Sequence, residues 1–154
     1  MKADDLLLRL LSRFREEGVE YVLIGGQAVR LNGFLRATED VDILLRATKA
    51  NGERVKRAMS FLASSGELES EWFEQRAGEV ENIRVADELI VDLVFAANGE
   101  TYESIQPFVR ELEIEDVRIH VLNIDGLLRT KTDYREKDVL DKQVLQRIKQ
   151  GLQE

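Results

Sequence analysis

Leucines and a phenylalanine recur at three- and four-residue intervals through Leu6, Leu7, Leu10, Leu11 and Phe14. That is the spacing of one helical face, and it predicts a helix over 3–17. Gly18 stands where a helix-ending glycine belongs. Residues 21–24 then read as a short strand running straight into Gly25-Gly26, with a second helix over 27–31. Apolar and polar positions alternate through "DVDILL", which predicts a strand opening at Asp40. Helical spacing returns over 51–63 and stops at Ser64-Ser65-Gly66. The middle is strand-like, over 72–75, 80–85 and 89–95. A short helix over 102–108 leads to strands at 110–114 and 117–121, joined by a tight turn at Glu115-Asp116. The chain turns helical again from Ile124, in two pieces, with Leu140, Val144 and Ile148 as an apolar stripe. Helices and strands in this order predict an α+β domain, a mixed β-sheet with helices packed on it.

Composition narrows the class. The 154 residues make one domain of ordinary size, here expected to span 1–154 with a helical tail over 124–154. No apolar stretch approaches the roughly 18 residues that a membrane span needs. Acids and arginines interrupt the first leucines, so the N-terminus reads as an amphipathic helix, not a signal peptide. With no cysteine there is neither a disulfide framework nor thiolate chemistry, which fits a reducing cytoplasm. The net charge of −8 repels polyanions and argues against non-specific nucleic-acid binding. Any nucleotide must be met by a local cluster of cations or by metal ions.

Asp40 and Asp42 open an apolar strand although aspartate is depleted in strands. Residues i and i+2 share one face of a strand, about 6.6 Å apart, so the two carboxylates point the same way. A solvated strand end explains such a pair on its own. Asp92 changes the weighing, because "ELIVDLVFA" buries it in an apolar run where a lone ionised group costs several kcal/mol. If its strand neighbours that of Asp40 and Asp42, the three carboxylates meet; the bland alternative is an ion pair between Asp92 and Arg84. Three carboxylates without matching cations suit hard divalent ions, magnesium first among them.

"YVLIGGQAVRL" is strand, Gly-Gly, helix. Glycine lets a backbone approach a phosphate closely, yet a plain tight turn reads the same. Neither a P-loop nor a G-x-G-x-x-G fingerprint is present. Taken whole, "IGGQAVRLNGFLRATEDVDILL" resembles the signature of the polymerase-beta-like nucleotidyltransferase superfamily. Thirteen residues separate Gly26 from Asp40, and Arg36-x-Thr38 precedes the acids, which looks most like the minimal bacterial branch of AbiEii-type toxins and related small transferases. The resemblance covers 22–95, with Asp92 matching the third carboxylate, and extends more loosely to the tail. Many members carry serine where Gly26 stands, so here the backbone must do more of the phosphate holding.

The resemblance implies a nucleotidyltransferase-type core that moves a nucleoside monophosphate from an NTP to a hydroxyl acceptor. Asp40, Asp42 and Asp92 would hold two Mg²⁺ ions about 4 Å apart, clamping the attacking and leaving oxygens. Asp92 would also help to take the acceptor's proton, and Gly25 and Gly26 would hold the β- and γ-phosphates. For Arg36 two readings stand, a phosphate counter-ion or a partner of Glu39; for Thr38, a phosphate contact or a turn cap. In the tail, Lys131 matches the family's triphosphate counter-ion. Lys131 and Arg135, four apart, share one face if helical. The alternative is an ordinary charged helix in which Arg135 pairs with Asp138. His120, Trp72, Phe73, Tyr21 and Phe34 receive no catalytic role.

The catalytic core accounts for nearly all of the sequence, so acceptor recognition is expected from the C-terminal helices, self-association or a partner protein. The expected acceptor is a protein side chain or an RNA end, in a toxin–antitoxin or defence-like system, by analogy with the family. A nucleotide-sensing, antitoxin-like module without turnover is the contrasting expectation. An adenylyltransferase of the aminoglycoside kind is weaker, since those usually carry an extra helical domain.

Overall fold

The computed structural model describes residues 2–32, 40–74, 82–132 and 134–153. Within them the chain runs α1 (Lys2–Glu17), β1 (Tyr21–Ile24), α2 (Gly25–Leu31), β2 (Asp40–Leu45), α3 (Lys49–Ala58), β3 (Ile83–Ala86) and β4 (Ile90–Val94). It continues with α4 (Tyr102–Ile105), β5 (Val109–Ile114), β6 (Val117–Leu122), α5 (Ile124–Thr130) and α6 (Glu136–Gln153). The six strands form one mixed sheet in the order β3-β4-β2-β1-β6-β5. β1 pairs antiparallel with β2 and parallel with β6, and β2 pairs parallel with β4. The α+β reading of the sequence is the observed architecture.

Local chemistry explains the elements. α1 buries the predicted stripe, with Leu10, Leu11 and Phe14 fully enclosed, and packs against α3 and β6. Val19 N–H closes back onto the Phe14 carbonyl at 2.9 Å, ending the helix around Gly18. All four residues of β1 are buried, as expected of a strand inside a sheet covered by helices. Thr48 caps α3, its hydroxyl accepting the Asn51 N–H at 3.1 Å. Glu115 and Asp116 both take positive φ, 49° and 67°, the twist that a two-residue β5–β6 hairpin requires. No helix among the described residues is long and apolar enough to cross a membrane.

Three expectations need correction. The strand expected over 72–75 is instead a 3₁₀ turn, Ser70–Phe73. Phe73 is fully buried, its ring 5.9 Å from that of Phe95, and a Cβ on Gly52 would collide with it at 2.6 Å. Phe73 plugs the core from a turn, and packing decides over strand propensity. The helix expected over 51–63 stops at Ala58. Finally, Leu140 is 56% exposed, and the inward face of α6 carries Asp138, Asp141 and Leu145. Leu145 meets the core, while the two acids find polar partners described below. Val80, Gln75 and Phe34 lie outside the described residues.

Candidate active site

Strand register builds the site. Asp42 on β2 lies directly opposite Asp92 on the parallel strand β4, and Asp92 lies opposite Arg84 on the antiparallel edge strand β3. In-register neighbours point to one face. Asp40, two residues before Asp42, joins that face. The sheet therefore carries a row of two carboxylates and a guanidinium, with a third carboxylate beside it.

The electrostatics of the row are tense. Burial, then the negative charge of Asp92, pushes the Asp42 carboxyl above the ordinary carboxylate range; Lys137 and Lys131 offset part of this, and Asp40 adds to it. Arg84 answers the other two acids. Its Nη2 lies 3.0 Å from Asp40 Oδ2, and its Nε lies 3.7 Å from Asp92 Oδ1. Among the described residues, no three His, Cys, Asp or Glu side chains are gathered closely enough to cage an ion. The ion pair weighed above as the bland alternative is thus present beside the acid row.

The acids face a cleft of about 790 Å³, a size that suits a small-molecule ligand. Gly25 and Gly26 line it at the start of α2, and Lys131, Arg135 and Lys137 line it from the segment around the start of α6. That side is held in place by Asn98, whose side-chain amide donates to the carbonyls of Arg129 at 3.1 Å and Lys131 at 3.0 Å. Lys131 points inward: its Nζ is 3.2 Å from Asp141 Oδ2, and both side chains are less than a tenth exposed. Asp138 does not serve mainly as a partner of Arg135. It accepts from the Thr132 N–H and hydroxyl at 2.9 and 2.8 Å. Burial opposes its ionisation, but those bonds and the charges of Lys131 and Arg135 prevail and lower its pKa.

Neither a protein-family model nor a curated protein sequence matches the chain. Solved structures do. A candidate nucleotidyltransferase from Thermotoga maritima matches with a TM-score of 0.55 at 15% identity, over 97% of this chain and 88% of its own. The antibiotic-resistance factor ANT(2'')-Ia matches with a TM-score of 0.56 at 14% identity, over 94% of this chain and 84% of its own. The fold is a nucleotidyltransferase fold.

On that fold, Gly25, Gly26, Asp40, Asp42, Asp92, Lys131 and Arg135 all line one cleft. Arg36 and Thr38 lie outside the described residues. Three contributors escaped the sequence reading. Lys137 faces Asp42 electrostatically ahead of Lys131, and its signal was its place two residues beyond Arg135. Arg84 appeared only as a possible ion-pair partner, although strand alternation puts it on the acid face. Tyr134, 84% exposed at the rim, gives no signal in the sequence.

Gly25 is required twice over. Its φ is +70°, and a Cβ there would sit 2.1 Å from Asp42 Oδ2. Gly25→Ala is therefore expected to lower stability by on the order of 2–3 kcal/mol and the Tm by about 5–10 °C. Thermal denaturation checks this, and an unchanged Tm would mean that neither the backbone angle nor the Asp42 contact constrains this position.

Proposed function

We propose that the protein is a divalent-metal-dependent nucleotidyltransferase, moving a nucleoside monophosphate from an NTP to a hydroxyl on a protein side chain or an RNA end. The observation that carries this reading is the register of Asp42 against Asp92, with Asp40 on the same face, in a cleft that is also lined by Lys131, Arg135 and Lys137.

Asp40, Asp42 and Asp92 are not drawn together closely enough to cage an ion by themselves, but their chemistry suits Mg²⁺, which keeps waters and shares phosphate oxygens with a substrate. The donor set is all carboxylate oxygen, which hard cations prefer. Burial first, and then the charge of Asp92, raises the pKa of Asp42, and a nearby cation would favour its ionised form. Asp40, Asp42 and Asp92 would hold the ions. When bound, the ions neutralise the triphosphate and lower the barrier to in-line displacement. The chain supplies position. The Gly25-Gly26 backbone allows a phosphate to approach closely, and Lys137 and Arg135 add cations to the lining of the same cleft. Asp92 would help to accept the acceptor's proton. The acceptor oxygen bonds to the α-phosphorus as the bond to pyrophosphate breaks. Most of the catalysis then comes from placement and charge.

Tyr134 completes the reading as a surface for the nucleobase. Base–aromatic stacking is worth about 1–3 kcal/mol, so Tyr134→Ala is expected to weaken NTP binding roughly 5- to 150-fold. Tyr134→Phe should keep it, and titration calorimetry checks both. Equal affinity in all three proteins would remove the base from that rim.

The test of function is transfer. Each labelled NTP is incubated with Mg²⁺, the protein and a lysate of its host, with Asp42→Ala as control. Label on protein or RNA that depends on Asp42 supports the enzyme, within a toxin–antitoxin or defence-like system or outside one. Tight metal–NTP binding without transfer favours a nucleotide-sensing module instead. The ion pairs that Arg84 makes with two of the acids favour that second reading. In the transferase reading, recognition of the acceptor would fall to the C-terminal helices, a partner protein or a second copy of the chain.

A further inference from the structure

We propose that Arg84 is a built-in counter-cation that holds the acid site in the metal-free protein and competes with the incoming divalent ion. Metal uptake is then favoured when the nucleotide arrives with it. This rests on the metal site proposed above. Three carboxylates on one sheet face repel one another, and a metal-free protein needs a positive charge among them. Arg84 supplies it from the edge strand, as the register partner of Asp92. Its guanidinium spans two strands, with Nη2 3.0 Å from Asp40 Oδ2 and Nε 3.7 Å from Asp92 Oδ1. A divalent ion needs those same two carboxylates.

The hold is of a strength that can be released. The Arg84 side chain is 57% exposed and the Asp40 side chain 40%, and exposed ion pairs are weak. Lys131, by contrast, is buried and paired with Asp141 at 3.2 Å. Lys137 faces Asp42, whereas Arg84 pairs with the other two acids and is exposed enough to release them. A triphosphate entering the cleft offers the displaced guanidinium phosphate oxygens, which it pairs with strongly. Metal arriving alone offers no such exchange and must displace Arg84 into water.

The test is Mn²⁺ binding by the full chain, followed by electron paramagnetic resonance, with and without a non-hydrolysable ATP analogue. Arg84→Gln should bind Mn²⁺ up to about fivefold more tightly than wild type without nucleotide, the upper end for an exposed pair. It should lose that advantage with the analogue. Arg84→Lys, which keeps the charge, should fall between. Thermal melts in EDTA accompany the titrations, and the metal-free Tm is expected to fall in Arg84→Gln and recover with Mn²⁺. If wild type takes up Mn²⁺ with the analogue but Arg84→Gln gains nothing without it, Arg84 does not compete and the inference is overturned. If wild type takes up no Mn²⁺ under either condition, the proposed metal site itself fails, and this inference with it.

Discussion

Asp42→Asn is expected to destroy transfer while making the metal-free protein more stable. Loss of a carboxylate that holds positive charge at the reacting phosphate should reduce turnover by about 10³-fold or more, the scale seen when a charge-stabilising group is removed. Stability should move the other way, because burial and Asp92 both penalise the ionised Asp42 carboxyl. Removing a repulsion of about 1 kcal/mol raises the Tm by about 2–4 °C in a chain of this size. The sign in pH follows from the same cause. The folded protein holds the Asp42 proton more tightly than the unfolded chain does. Stability of the metal-free protein therefore falls as pH rises from the ordinary carboxylate value through the raised one, and that contribution then levels off. Asp138 acts in the opposite sense: its lowered pKa adds stability above the ordinary value, lost as pH falls through the folded one. Calorimetry in EDTA across the acid range, on wild type and Asp42→Asn, separates the two. A lower Tm for Asp42→Asn in EDTA would mean that the carboxylate is a structural partner and not a strained ligand.

Lys131→Met is expected to be the most destabilising change at the site. It leaves Asp141 charged, buried and without the lysine that faces it at 3.2 Å. Breaking a buried pair from one side costs about 3–5 kcal/mol, which corresponds to a Tm lower by about 10 °C or more. Replacing both members, Lys131→Met with Asp141→Leu, should restore most of the loss, since an apolar pair of similar volume is often as stable. The double-mutant cycle measures the coupling directly. A Lys131→Met protein with wild-type Tm but weakened NTP binding would instead make Lys131 the free triphosphate cation that the family resemblance implies. The burial of the pair favours a positioning role, with Lys131 and Asp141 fixing the wall from which Lys137 and Arg135 reach the cleft.

Much of the site was legible because strand chemistry is periodic. D-x-D fixes two carboxylates on one face whatever the tertiary context, and an aspartate inside "ELIVDLVFA" announces a buried charge that needs company. What the sequence did not carry was which strand neighbours which. The parallel pairing of β2 with β4 put Asp92 opposite Asp42, and the antiparallel pairing of β3 with β4 brought Arg84 to the same row. Side chains whose meaning depends on packing misled. Phe73 looked like a strand residue and plugs the core beneath a turn. Leu140 looked like an inward stripe residue, yet the inner face of α6 is pinned by acids to Lys131 and Thr132. Lys137 was overlooked in favour of Lys131, because only the fold tells which lysine is buried and which faces the cleft.

The most direct measurement is titration calorimetry of ATP into the protein with Mg²⁺ and with EDTA, repeated for Asp42→Asn and Asp92→Asn. A shared metal site predicts binding that needs Mg²⁺ and is lost in both variants, although they alter different strands. Binding that persists in EDTA, or that survives either substitution, would contradict it.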